Sequence, residues 1–310
     1  MLVRAIPFIF VILWASGFVG GRLGLQYAEP ATLLLIRVAS NAVLFFFITL
    51  MLRRHFPRGK LLLHNVVVGA LIQCFYLGGT YFAIDLGMPA GLSSLLVGSQ
   101  PILTALLLVL FTSERFRPSQ WLGLALGFIG ISLVLMGNMT WQSEQHKWLA
   151  VGWCVIALLG ITIGTLYQKK WCGGSDMFGG AAAQYLVASA LFLPYAMRYE
   201  TMQVEWTPIF IFTVFWLVVV LSGIAMVLLL YMVKHGAASS VASVFYLVPP
   251  VTAIQAWLVF DESFDVYGLL GFVFSACAVY LVVRKPRSEP EHTPENPSSE
   301  SQAAESTRAV

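Results

Sequence analysis

Residues 101–123 read PILTALLLVLFTSERFRPSQWLG, and residues 249–271 read PPVTAIQAWLVFDESFDVYGLLG. Aligned on their prolines, Pro101 and Pro249 are each followed thirteen residues later by a glutamate, Glu114 or Glu262, and nine residues after that by a glycine, Gly123 or Gly271. Thr104 and Thr252 coincide at the same offset of 148 residues, and a small residue, Gly127 or Ser275, follows each glycine four positions on, the spacing of a small-xxx-small packing face. Upstream, LGMPAGLSSLL (86–96) resembles HGAASSVASVF (235–245) after a one-residue shift. An apolar run, a turn opening on a carboxylate and a second apolar run, occurring once in each half of a chain, mark an internal duplication.

Working outward from these two units, uncharged or nearly uncharged runs fall at 5–21, 31–52, 61–84, 86–111, 118–137, 148–168, 178–197, 208–233, 237–260 and 266–283. Each is long enough for a helix to cross a bilayer core and too long, and too little alternating, for the strand of a barrel. The expected architecture is therefore all-α, a polytopic membrane protein of ten transmembrane helices. The duplication divides them five and five. An odd number of spans per unit sets the second unit upside down relative to the first, so the repeat is inverted about an axis in the membrane plane. The expected units are residues 1–141 and 142–285, followed by a Pro-, Ser- and Glu-rich tail, 286–310, which reads as disordered and cytoplasmic.

Composition agrees and excludes several classes. Of 310 residues 58% are hydrophobic and 11% are charged, whereas soluble domains carry about 25% charged residues. The net charge of +3 includes no basic stripe with interleaved aromatics, so nucleic acid is not an expected partner. Membrane lipid is. Cys74, Cys154, Cys172 and Cys277 are far apart, with no CxxC and no His at ligand spacing, so neither a metal site nor a disulfide framework is expected. Arg4 and the apolar run after it imitate a secretory signal, but no A-x-A-type site closes the run and more spans follow, so it reads as the first helix. With the N-terminus inside, thirteen Lys and Arg lie on the inner side and three, Arg22, Lys147 and Arg198, on the outer. That asymmetry orients both termini to the cytoplasm of a bacterial inner membrane.

The Pro…Glu…Gly pattern ending each half (Pro101, Glu114, Gly123; Pro249, Glu262, Gly271), WASGF at 14–18 and the single arginine Arg37 early in the second run resemble the drug/metabolite transporter superfamily, specifically its EamA-type ten-helix members. The resemblance covers residues 5 to 284. It implies alternating access around a central cavity, small organic metabolites such as amino acids as solutes, and export as the usual direction.

Within that frame the polar and aromatic residues of the spans are candidates for the cavity. Ser93, Val97, Gln100 and Thr104 are spaced 4, 3 and 4, which puts them on one face of the fourth helix, and Tyr246 belongs to the matching face of the ninth. Trp14, Ser16, Tyr76 and Thr162 lie deep in the first, third and sixth runs. The candidate substrate cavity is therefore Trp14, Ser16, Tyr76, Ser93, Gln100, Thr162 and Tyr246. Arg37 sits about 10 Å, two helical turns, from the end of its run; it reads as a gate, an anchor for a substrate carboxylate, or a structural ion that snorkels. Glu114 and Glu262 read as solvated carboxylates that cap the next helix or fix a loop. No Asp or Glu lies within a span short of Asp85 at a helix end, so the intramembrane acid of a proton relay is missing. A membrane enzyme acting on a lipid or metabolite is the rival reading, but no GxSxG, HExxH or P-loop and no paired intramembrane carboxylates support it, and no cofactor is expected.

Overall fold

The computed structural model describes residues 2–111, 118–136, 146–235, 245 and 247–283. Among the described residues the chain forms ten helical segments: α1 (Leu2–Gly24), α2 (Pro30–Met51), α3 (Lys60–Asp85), α4 (Ala90–Phe111), α5 (Pro118–Met136), α6 (Lys147–Trp171), α7 (Met177–Tyr199), α8 (Pro208–Leu229), α9 (Val248–Phe260) and α10 (Val266–Val283). The first eight are long and apolar enough to span a bilayer, and α9 and α10 are shorter apolar helices. The expected ninth run began at 237; of it, residues 237–244 and 246 lie outside the described residues. The flanks of the bundle carry exposed Phe8, Phe47, Leu63, Phe128 and Leu258. An apolar surface of that kind is incompatible with water as the surrounding medium and suits acyl chains. The protein is a polytopic, all-helical membrane protein.

Helix ends follow local chemistry. Pro30 and Pro208 occupy first-turn positions, where their missing N–H is no loss. The Thr207 hydroxyl accepts from Phe210 N, and the Asp176 carboxylate accepts from the backbone N–H groups of Phe178 and Gly179 at 3.0 and 3.1 Å. In α4 the helix breaks at Ser99 into Ala90–Gly98 and Gln100–Phe111. Pro101 explains the break, because its ring removes one N–H and crowds the carbonyl four residues back. Residues 93 and 97 therefore belong to one helical piece and 100 and 104 to another, so the single face read from their spacing is interrupted.

The packing pairs corresponding helices. The most extensive contacts join α5 to α10 and α2 to α7; α4 meets α9, α1 meets α8, and α3 meets α6. Exchanging the first five helices with the last five turns each of these pairs into itself or into another of the set. Two π-helical stretches, Gly69–Tyr76 within α3 and Trp216–Ala225 within α8, also correspond at the 148-residue offset to within a residue or so. Such wide turns are rare and displace the side chains that follow, so their recurrence extends the duplication beyond the segments in which sequence reveals it.

Among the described residues four buried clusters fill the bundle, the smallest being Ile102 of α4 with Ala278 and Val279 of α10. Leu33, Leu34, Val38 and Phe45 of α2 pack with Tyr81 of α3 and Tyr185 and Phe192 of α7. Phe10, Ala15 and Phe18 of α1 pack with Leu217 and Leu221 of α8 and Val248 of α9. Met88, Leu92 and Leu95 join Cys154 of α6, Val134 of α5 and Phe272 of α10. On one face the loops cross-tie the halves. Glu200 accepts from Ala31 N, Thr32 N and the Thr32 hydroxyl, each at 2.7 Å, which caps α2. Glu29 in turn accepts from Thr201 N and its hydroxyl at 2.7 Å. An isolated bridge between Ala28 and Val204 completes this tie.

Candidate functional site

The described candidate residues fall into separate polar groups. In the first, Trp14 of α1 is half-buried among rings, 5.3 Å from Phe10 and 5.6 Å from Phe245 between centroids. Two residues on, the Ser16 hydroxyl donates to Leu13 O at 2.6 Å and accepts from the Trp216 indole at 2.8 Å. The bond ties α1 to the π-helical stretch of α8. Tyr246 lies outside the described residues.

The second group joins α4 to α6. Gln100 Nε2 donates to Thr165 Oγ1 at 3.0 Å, close to the break made by Pro101. Thr162 is fully buried and donates to Leu158 O at 2.6 Å within its own helix. Ser93 is fully buried 3.4 Å from Cys154 Sγ, which in turn faces Met88 Sδ at 3.2 Å. Ser93 thus faces the packed seam between α4 and α6, and Thr162 satisfies its hydroxyl locally. Periodicity located their face but not what covers it. The thiol of Cys172, buried just past the end of α6, is pushed up by lost hydration, so it is a poor nucleophile.

The third group contains the arginine. Arg37 is 6% exposed, and its Nη1 donates to the Tyr81 hydroxyl at 2.5 Å, with the guanidinium carbon 5.6 Å from that ring's centroid. Tyr76 lies within electrostatic range of Arg37, Tyr81 and Tyr185. One turn along α2, Asn41 is fully buried. Gln184 of α7, buried at the corresponding place in the second half, donates to Asn65 Oδ1 of α3 at 3.0 Å.

Glu262 departs from the expectation of a solvated carboxylate capping the helix that follows it. It is 2% exposed, pairs with Arg22 at the end of α1, and accepts from Ala90 N at 2.9 Å and Gly91 N at 3.4 Å. The helix it caps is α4, 172 residues away, and not α10. A partly positive helix N-terminus and a guanidinium compensate the burial of its charge. Arg22 also stacks over Phe260, 4.4 Å from the ring centroid. The clasp joins α1, α4 and the α9–α10 turn on the face that carries the Glu29–Glu200 tie. Glu114 lies outside the described residues.

Sequence reading overlooked Arg22, Asn41, Tyr81 and Trp216 as site partners. Asn41 carried a usable signal: a polar residue four positions from Arg37 in an otherwise apolar run. Arg22 carried none, since its position at a span end looks like any loop charge. Two recesses accompany these groups. One, about 20 Å³ and little larger than a water, lies between α4, α5, α9 and α10 at Ser99, Pro250 and Ser275. The other, open and about 260 Å³, lies on the clasp face at Tyr27, Glu29, Asp85 and Glu205.

Comparison with known proteins places these features in a family. The EamA-like transporter family matches residues 5–136 and again 148–284. An uncharacterized transporter of Bacillus subtilis (strain 168), YvbV, is 26% identical over 282 residues, 90% of each chain. A probable amino-acid metabolite efflux pump of Escherichia coli (strain K12) is 25% identical over 287 residues, 88% of this chain and 92% of its own. The uncharacterized inner membrane transporter YedA of the same strain is 23% identical over 174 residues, 56% of this chain and 55% of its own. A solved crystal structure superimposes with a TM-score of 0.62 over 89% of this chain and 94% of its own at 16% identity, a likeness of fold alone.

Proposed function

Because this chain belongs to the EamA-like transporter family, we propose that it carries a small organic metabolite, an amino acid or a similar solute, outward across the bacterial inner membrane by alternating access. Both termini are cytoplasmic in this reading, and the inverted five-helix units are residues 1–141 and 142–285; the tail, 286–310, lies outside the described residues. The observation that carries it is the helix pairing, which is preserved when the two sets of five are exchanged. Such symmetry supplies two equivalent arrangements, one open to each side. The Arg22–Glu262 clasp then closes the outer face, and the solute passes between α1, α3, α4, α6 and α9. The relatives named as transporters and as an amino-acid efflux pump support transport over catalysis.

Trp14, Ser16, Tyr76 and Gln100 line the path in this reading, and Ser93 and Thr162 shape it from behind the surface. The test is counterflow in liposomes with a pool of labelled amino acids, of which at least one should exchange. Gln100→Ala and Tyr76→Ala should each slow that exchange by about three- to ten-fold at equal protein content, the weight of one hydrogen bond or ring contact. Full exchange by both variants rejects the cavity, and covalent turnover of a solute without flux rejects transport.

A second expectation concerns coupling. Among the described spans the one acid is Asp85, the last residue of α3 and exposed, and the buried Glu262 lies in the turn between α9 and α10, paired with Arg22. Without an acid further inside, counterflow should be insensitive to an imposed pH gradient. Strong stimulation by the gradient overturns the uncoupled reading.

A further inference from the structure

The Arg37 guanidinium is buried among α2, α3 and α7 with its charge uncompensated. Among the described residues the ion pairs are Arg22–Glu262 and Arg54–Asp176, and neither involves it. Among the described residues its one hydrogen bond goes to a neutral phenol, Tyr81, and its Nε has no partner. On the same face of α2, one turn along, both amide atoms of the fully buried Asn41 are without partners. A lone cation in a low-dielectric interior is costly, and so is an unsatisfied amide. Two such groups one turn apart on the same helix mark a place where one ligand could satisfy both.

The donors define its chemistry. A planar guanidinium with free N–H groups, a neighbouring amide N–H₂ and the Tyr81 and Tyr76 hydroxyls offer an excess of donors around one positive charge. A monoanion with two coplanar oxygens balances that charge and matches the guanidinium fork. A dianion such as a phosphate monoester would leave a second charge unpaired. Tyr81 links the group to the transport path, since it packs against Gly21 of α1 so closely that a Cβ there would sit 2.9 Å from its ring. We infer that Arg37 and Asn41, with the Tyr81 hydroxyl, form the recognition site for the carboxylate of the transported solute. The inference rests on the transport reading above and narrows it to carboxylate-bearing metabolites. Arg37 is then a binding residue, released from Tyr81 when the carboxylate takes its place.

The test compares paired solutes, phenylalanine with phenylalaninamide and leucine with leucinamide, in counterflow by the reconstituted full-length protein. The wild type should favour the acid over its amide by about ten-fold or more, the worth of a charge-assisted bond. Arg37→Gln, which removes the charge and leaves an amide donor on a shorter side chain, should reduce that preference to within about two-fold while the amide still moves. Asn41→Ala, which removes amide atoms that have no partner among the described residues, should raise the half-saturating concentration of the acid about five-fold and that of its amide by much less. A merely structural Arg37 predicts the opposite pattern: Arg37→Gln lowers both members of each pair equally, and Asn41→Ala changes nothing. Either result overturns the inference, as does a wild type that moves amides as fast as acids. A wild type that moves no solute at all overturns the transport reading itself, and a thermal shift with acid but not amide in detergent separates that failure from loss of the site.

Discussion

Glu262→Ala is expected to destabilise the protein more than any other single side-chain truncation on the clasp face, by roughly 3 kcal/mol or more. Two effects add. The Arg22 guanidinium, 15% exposed, is left without its counter-charge beside Phe260, and the N–H groups of Ala90 and Gly91 lose their acceptor at the start of α4. The cap alone accounts for about 1 kcal/mol, and the stranded charge for the larger remainder. Thermal unfolding of the purified protein in detergent reads this as a drop of several degrees. Glu205→Ala, an exposed carboxylate on the same face, provides the comparison and should stay within about 0.5 kcal/mol of wild type. The double variant Arg22→Leu/Glu262→Leu should recover part of the loss, because a neutral pair of similar volume removes the stranded charge. If Glu262→Ala and Glu205→Ala unfold at the same temperature, the clasp contributes nothing to the closed face.

How much of this was legible depends on whether the determining contact is local. The helices were, because twenty-residue apolar runs leave the backbone no other way to satisfy itself in lipid. The break in α4 was missed, since residues 86–111 were read as one run, although Pro101 carries its signal. The duplication showed only where proline, glutamate and glycine recur, whereas the matched π-helical stretches in α3 and α8 leave no compositional trace. The clasp was illegible for a plainer reason. Its carboxylate and the helix it caps are 172 residues apart, and nothing at Glu262 distinguishes a solvated turn from a buried pair. The spacing of Ser93 and Gln100 put them on one polar face, yet the helix breaks between them, and Ser93 meets Cys154 in a packed seam while Gln100 meets a threonine. Period gives direction around a helix axis, and the neighbour in that direction is a tertiary fact.

Gly271→Leu is expected to break the most extensive helix pairing in the molecule, that of α5 with α10. Apolar burial cannot drive that pairing in lipid, where acyl chains are as good a partner as leucine; close packing of small residues must hold it. At Gly271 an added Cβ would collide with the Val134 side chain and stand 2.5 Å from Gly130 O, and at Gly130 one would stand 2.5 Å from Ser275 Oγ and 2.8 Å from Gly271 O. Two of these neighbours, Gly130 O and Gly271 O, are backbone atoms, which no rotamer change moves away. The two helices must separate along their length. Strain of this kind costs about 1–3 kcal/mol where side chains can shift, and more where, as here, the neighbouring atom is a carbonyl. The variant should therefore accumulate poorly in the membrane and, if purified, unfold well below wild type. Gly152→Ala in α6 supplies the contrast: a Cβ there meets nothing within 4 Å, and alanine is the better helix former, so that variant should be neutral or more stable by about 0.5 kcal/mol. The two outcomes together separate a glycine needed for approach from one that merely tolerates it. Because α5 and α10 are the last helices of their respective sets, a pair that survives Gly271→Leu unchanged would show that close packing of small residues is not what holds the two sets together along this seam.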